Sequence, residues 1–144
     1  MAEIHRSALL PYSAAKVYQL INDVAAYPQF MDGCVGAEIL RQSDESMEAR
    51  LDLSKSGLNY SFTTCNRLLP EQQIEMTLID GPFDDFCGRW QVKALSDEAC
   101  KLTLDLEFTL SGKVLSLAAK LLFKPMADNL VDALVGRAHQ LYKK

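Results

Sequence analysis

The side chains with the most chemical reach are two histidines, His5 and His139, four cysteines and a few clustered carboxylates. No G-x-S-x-G or comparable nucleophile signature stands beside either histidine. His5 falls in a strand-like opening stretch. His139 falls near the end of a long helical stretch, where a cationic ring suits the negative end of the helix dipole. Glu48 and Asp52 are four apart in an alternating segment and share one face. Such a pair can act as acid and base, but their positions alternate with the apolar ones, so they read as solvated charge. Asp80, Asp84 and Asp85 offer oxygen ligands, yet Gly81-Pro82 between them marks a turn and the spacing of a calcium loop is absent. Cys34, Cys65, Cys87 and Cys100 are widely spaced with no C-x-x-C, which favours reduced, half-buried thiols over a zinc site. There is no glycine loop to cradle phosphate. No catalytic residue and no metal site is expected, and binding becomes the leading class of function.

Composition narrows the partner. The 144 residues suit one domain, 1–144, and 49% hydrophobic with 24% charged residues is ordinary for a soluble chain. No apolar run reaches the roughly 18 residues of a membrane span, and Met1 to Leu10 lacks a signal-peptide core. The expected location is the cytoplasm. The net charge of −4 is uneven: from Lys113 onward six basic residues face two acidic ones, leaving +4 there and −8 in the remainder. Such a segment either solvates a helix exterior or meets an anionic partner.

The elements that would position these groups follow from periodicity. Glu3 to Leu10 reads as a strand stopped by Pro11. Ser13 is suited to cap a helix carrying Val17, Leu20, Ile21 and Val24, and Pro28 is expected to end it. Tyr27 to Met31 is a turn or second helical piece. Val35–Arg41, Met47–Ser54, Leu58–Cys65 and Ile74–Leu78 alternate, as do Arg89–Leu95 and Cys100–Leu110, with turns at Lys55-Ser56-Gly57, Pro70-Glu71-Gln72, Asp80-Gly81-Pro82 and Ser96-Asp97-Glu98. Lys113 to Tyr142 is a long helix with Leu115, Ala118, Ala119, Leu122, Met126, Leu130 and Ala133 on one face. Val114, Leu117, Leu121, Val131 and Val135 lie away from that stripe, and Pro125 predicts a kink or a break into two helices. The expected order is strand, two short helices, six strands, long helix. This is an α+β helix-grip architecture, a curved antiparallel sheet of about seven strands wrapped around the terminal helix.

Leu10-Pro11-Tyr12-Ser13, Val17-Tyr18, Ile21-Asn22-Asp23-Val24, Tyr27-Pro28-Gln29-Phe30 and Gly33-Cys34 together resemble the opening of the coenzyme-Q-binding START-like family, in the polyketide cyclase/lipid transport superfamily. Ser54-Lys55-Ser56-Gly57, Phe62-Thr63-Thr64, Asp80-Gly81-Pro82-Phe83, Gly88 and Trp90 resemble its bacterial ribosome association toxin branch. The pattern departs after Phe30, where Met31-Asp32 replaces the expected Leu-Pro. The resemblance implies a helix-grip fold, a hydrophobic cavity under the long helix, and no obligatory cofactor.

Three functions follow from it. The first is a non-enzymatic binder of ubiquinone or another isoprenoid or lipid, linked to respiration. Its lining candidates are Phe30, Met31, Tyr60, Phe62, Phe83, Phe86, Trp90, Leu122, Met126 and Leu130, each of which could equally be plain core. The second is a ribosome association toxin that binds the large ribosomal subunit and blocks subunit joining, with a small antitoxin-like protein as a further partner. Its contact candidates are Lys113, Lys120, Lys124, Arg137, Lys143 and Lys144. The third is a cyclase-like enzyme, since the superfamily includes such proteins. DNA is not an expected partner.

Overall fold

The computed structural model describes residues 2–55, 57–69, 72–81, 83–110 and 117–142, with backbone alone at 2, 55, 58, 110 and 117–124. Strand β1 (Ala2–Leu10) leads into helix α1 (Ala14–Asn22), where the Ser13 hydroxyl accepts from the Lys16 amide at 3.2 Å and caps the first turn. α1 ends before Pro28. The Asp23 amide bonds back to the Gln19 and Leu20 carbonyls, and Pro28 lies inside a separate 3-10 helix, α2 (Val24–Gln29). Strands β2 (Cys34–Gln42), β3 (Ser46–Lys55), β4 (Leu58–Leu69), β5 (Gln73–Asp80), β6 (Phe83–Ser96) and β7 (Ala99–Leu110) follow, and helix α3 (Leu117–Tyr142) ends the chain. β6 begins at Phe83, well before Arg89, where the alternation first becomes plain: Gly88 interrupts the earlier half, and pairing with β7 carries it through.

All seven strands form one antiparallel sheet in the order β1-β7-β6-β5-β4-β3-β2. It is open, with β1 and β2 at opposite edges, and α1 and α2 carry the chain between those edges. β7 is the best patterned strand: Cys100, Leu102, Leu104, Leu106 and Phe108 are all buried. Seven strands gripping a terminal helix is the helix-grip architecture.

α3 runs as one helix through Pro125, whose exposed ring faces solvent. It packs on β1 and α1 and also meets β4 and β7. Its C-terminal half buries Val131, Leu134 and Ala138 together with Met126. Val131, expected off the main stripe, is 1% exposed. The contact is therefore turned by about one residue, roughly 100° at 3.6 residues per turn, from the Met126-Leu130-Ala133 line. The helix is apolar on both sides, so spacing could not choose between them. Arg6 on β1 fastens this half, donating to the Asp128 carbonyl at 2.9 Å and pairing with the Asp132 carboxylate at 3.1 Å.

Candidate functional site

The rotation of α3 leaves Met126 and Leu130 of the expected stripe facing a hollow. This hollow, of about 100 Å³ of free space and open to the surface on one side, lies between the sheet and α3. Ala49, Leu51 and Leu53 of β3, Phe62, Thr64 and Asn66 of β4, and Ile74 and Met76 of β5 form much of its floor. Phe83, Phe86 and Trp90 of β6 and Leu106 and Phe108 of β7 continue it. Ile21, Asn22, Val24, Tyr27 and Met31 close one side, and Met126, Ala127 and Leu130 form the described part of the roof.

Local sequence explains the shape. Gly88 faces inward from β6, and a methyl there would overlap the Leu106 and Met76 side-chain ends. Its missing side chain thus leaves room for two lining residues. Phe83 stands edge-on to Phe62, with ring centroids 5.6 Å apart, and lies 5.3 Å from Phe86 and 5.6 Å from Phe108. These rings make a stiff aromatic wall where β6 starts. At the other end Tyr27 is buried and donates its hydroxyl to the Ile21 carbonyl. Burial, with the nearby Cys34 and Asp23, pushes the phenol far above its ordinary range, so it stays neutral. Gly33 has φ +86°, and a side chain there would overlap the Met126 thioether. The corner between α2 and β2 therefore sits directly against the roof.

Of the residues expected to line a cavity, Met31, Phe62, Phe83, Phe86, Trp90, Met126 and Leu130 are on its wall. Tyr60 packs against the core without lining it, because the cavity ends one alternation short, at Phe62. Phe30 lines a neighbouring hollow with Met31, Asp32, Met126, Asn129, Leu130 and Ala133, so three residues separate the two spaces. The side chain of Leu122 lies outside the described residues. Sequence reasoning passed over Thr64 and Asn66, although polar residues in the apolar register of a strand are a visible signal.

Of the basic candidates, Arg137 alone has its side chain among the described residues. Arg137 is held in place: it donates to Gln29 Oε1 at 3.1 Å and lies 5.5 Å over the Phe30 ring. Lys113, Lys143 and Lys144, and the side chains of Lys120 and Lys124, are outside the described residues. His139 bonds through Nδ1 to the Tyr12 hydroxyl at 2.6 Å, and His5 to Asp105 at 2.7 Å. Asp52 accepts from the Ser61 hydroxyl at 2.6 Å, and Glu48 lies 4.0 Å from Arg41, as surface charges do. The four cysteines are free thiols, and burial raises the pKa of Cys34 and Cys100. Among the described residues no cluster of ligating side chains could hold a metal. None of the described lining residues is an acid, a base or an activated nucleophile. What the wall can do is exclude water, pack an apolar molecule and offer a few neutral hydrogen bonds.

An open antiparallel sheet gripping a terminal helix over an apolar hollow defines the START-like class of proteins. Comparison with known proteins agrees. The family profile described as polyketide cyclase/dehydrase and lipid transport matches residues 10–135. The chain is 45% identical, over 99% of its length and 90% of the relative's, to the ribosome association toxin RatA of Escherichia coli K12. Its fold is similar to that of a START superfamily protein from Mycobacterium smegmatis, with TM-score 0.80, 26% identity and coverage of 96% and 98% of the two chains. It is also similar to the Zhui aromatase/cyclase from Streptomyces sp. R1128, with TM-score 0.81, 17% identity and coverage of 96% and 94%. The chain belongs to the polyketide cyclase/dehydrase and lipid transport family, in the branch that contains the ribosome association toxins.

Proposed function

We propose that this protein is a non-enzymatic binding protein that holds an apolar molecule, a ubiquinone or another isoprenoid or lipid, between its sheet and α3, in a role linked to respiration. One observation carries this reading: the cavity wall is apolar almost throughout and has no acid or base among its described lining residues. Burial of hydrocarbon against such a wall is favourable at about 25 cal/mol per Å². No cofactor is required; the bound molecule is the ligand itself. Organic extraction of the purified protein followed by mass spectrometry tests the idea. A co-purified quinone or lipid is expected, as is a change in emission from Trp90, the single tryptophan, when a short-chain quinone is added. An empty protein whose Trp90 emission ignores added quinone sinks it.

A second reading is favoured by the 45% identity to a ribosome association toxin over 99% of the chain. On this reading the protein acts in the cytoplasm, binds the large ribosomal subunit and hinders subunit joining, and a small antitoxin-like protein opposes it. The excess of basic residues from Lys113 onward suits an anionic surface, while the acidic body disfavours other orientations. Among the described residues no helix is long and apolar enough to cross a membrane. Sucrose-gradient profiles after overexpression should show fewer joined ribosomes. Charge reversal at Lys113, Lys120, Lys124, Lys143 and Lys144 should restore them, and an unchanged profile in the reversed variant refutes that contact. The two readings use different parts of the molecule, one a cavity and one a surface, and both can hold.

A further inference from the structure

Beside Asn22, the cavity wall carries a polar pair on the sheet that packing does not explain. Thr64 and Asn66 lie two apart on β4, so both point to the inner face of the sheet. They are 6% and 7% exposed, and among the described residues they are the buried polar side chains of the protein. The Thr64 hydroxyl donates to Asn66 Oδ1 at 2.8 Å. That bond orients the amide and occupies its acceptor. The two amide hydrogens of Asn66 have no hydrogen-bond partner among the described residues. Across the neighbouring strands Asn66 faces Met47 and Met76, which offer it no strong acceptor. Asn66 lines the cavity, so its amide hydrogens are open to whatever fills that space, and a ligand that displaces water there loses affinity if it leaves them unpaired.

We propose that the Thr64–Asn66 pair is the recognition point for the polar end of the ligand. The ligand is then an uncharged apolar molecule bearing a carbonyl or ether oxygen, which accepts a hydrogen bond from Asn66 Nδ2. This rests on the ligand-binding reading above and narrows its chemistry. A carboxylate or phosphate head at the same place would meet no cation among the described lining residues, and burying an unpaired charge is costly. A pure hydrocarbon would fill the space but leave the amide hydrogens dry. A neutral oxygen on an apolar skeleton satisfies both conditions.

Calorimetric titration of the full chain with three probes of matched alkyl chain tests this: an alkyl-substituted dimethoxybenzoquinone, the corresponding alkylbenzene and the corresponding fatty acid. The quinone is expected to bind about tenfold more tightly than the alkylbenzene, the effect of roughly one neutral hydrogen bond. The fatty acid should bind most weakly. Asn66→Leu should bring the quinone down to the alkylbenzene's affinity without weakening the alkylbenzene. Thr64→Val, which frees the amide to rotate, should do the same in smaller measure. Thermal melting establishes that each variant is folded, and Thr64→Val carries the test if Asn66→Leu is not. Equal affinity for quinone and alkylbenzene in the unaltered chain overturns the subsite but leaves the cavity reading intact. So does an undiminished quinone preference in a folded variant, or tightest binding by the fatty acid. Failure of all three probes to bind overturns both.

Discussion

Leu134 and Leu130 lie four residues apart on α3, close to one above the other. Leu134 is 1% exposed and belongs, with Val131 and Ala138, to a core shared with Ile4 of β1, Val17 of α1 and Leu102 and Leu104 of β7. Leu130 is half-buried and lines the cavity. One end of the space between sheet and helix is thus filled, and the other is left hollow. The same residue types build both ends. What differs is what stands opposite: α3 packs on β1 and α1, while Leu130 looks onto the hollow lined by β3 to β7. Apolar side chains without partners across a gap lose dispersion contacts, so the hollow end gives up stability that the filled end supplies. That division of labour suits a protein that binds by offering vacancy.

The comparison is broken most directly by the matched pair itself. Leu134→Ala should cost about 2–5 kcal/mol, the range for deleting a close-packed leucine, while Leu130→Ala should cost about 1 kcal/mol, because its methyls already border empty space. Denaturant midpoints measure both, and equal losses would mean that the hollow is filled in solution. The reverse change discriminates next. Ala138→Leu at the filled end, where Ala138 is 0% exposed, should overpack by about 1–3 kcal/mol. Ala49→Leu should be tolerated within about 1 kcal/mol, since Ala49 borders the cavity, yet it should reduce the response of Trp90 emission to added apolar ligand. An Ala49→Leu variant that binds as before would place the ligand elsewhere.

Gly33 ties the two descriptions together, because it lets the α2–β2 corner meet the roof. Gly33→Ala forces a side chain into φ +86° against Met126 and should cost about 1–3 kcal/mol. Met126→Ala in the same chain should recover only the part due to the clash, as read from melting temperatures. The smallest effect lies outside the cavity. The hydrogen bond to Asp105 is the main cause that raises the His5 pKa above 6.5. The folded state holds that proton more tightly, so this contribution is present below pH 6.5 and fades as pH rises through the raised value. Asp105→Asn should bring the His5 titration back towards 6.5 in an NMR experiment, with the melting temperature nearly unmoved because the pair is exposed. An unchanged titration would assign the shift to Glu3 and Glu107 instead.

Much of the frame was legible in the chain. Strict alternation from Cys100 to Phe108 announces a half-buried strand, short connections announce antiparallel neighbours, and a run of helix formers from Leu117 announces the last helix. Phe62, Phe83, Phe86 and Trp90 could be nominated as lining because large apolar side chains on the inner face must point at whatever fills the grip. The early half of β6 was harder to read, since Gly88 breaks the apolar rhythm and only pairing to β7 makes it a strand.

The sequence by itself determined the order of elements, the inward face of the plainly alternating strands β3, β4, β5 and β7, and the family. Those depend on local periodicity and on motifs, which one chain carries whole. The tertiary structure alone decided which side of α3 is buried, and therefore where packing stops and the cavity starts. An apolar residue at helical spacing looks the same whether it meets a neighbour or a void, and α3 is apolar on two sides. Likewise Thr64 and Asn66 become a candidate recognition point only when β3 and β5 are set beside them with no acceptor to offer the Asn66 amide. Whether a donor on the wall finds a protein partner is a property of its neighbours in space, and the register of three strands decides it.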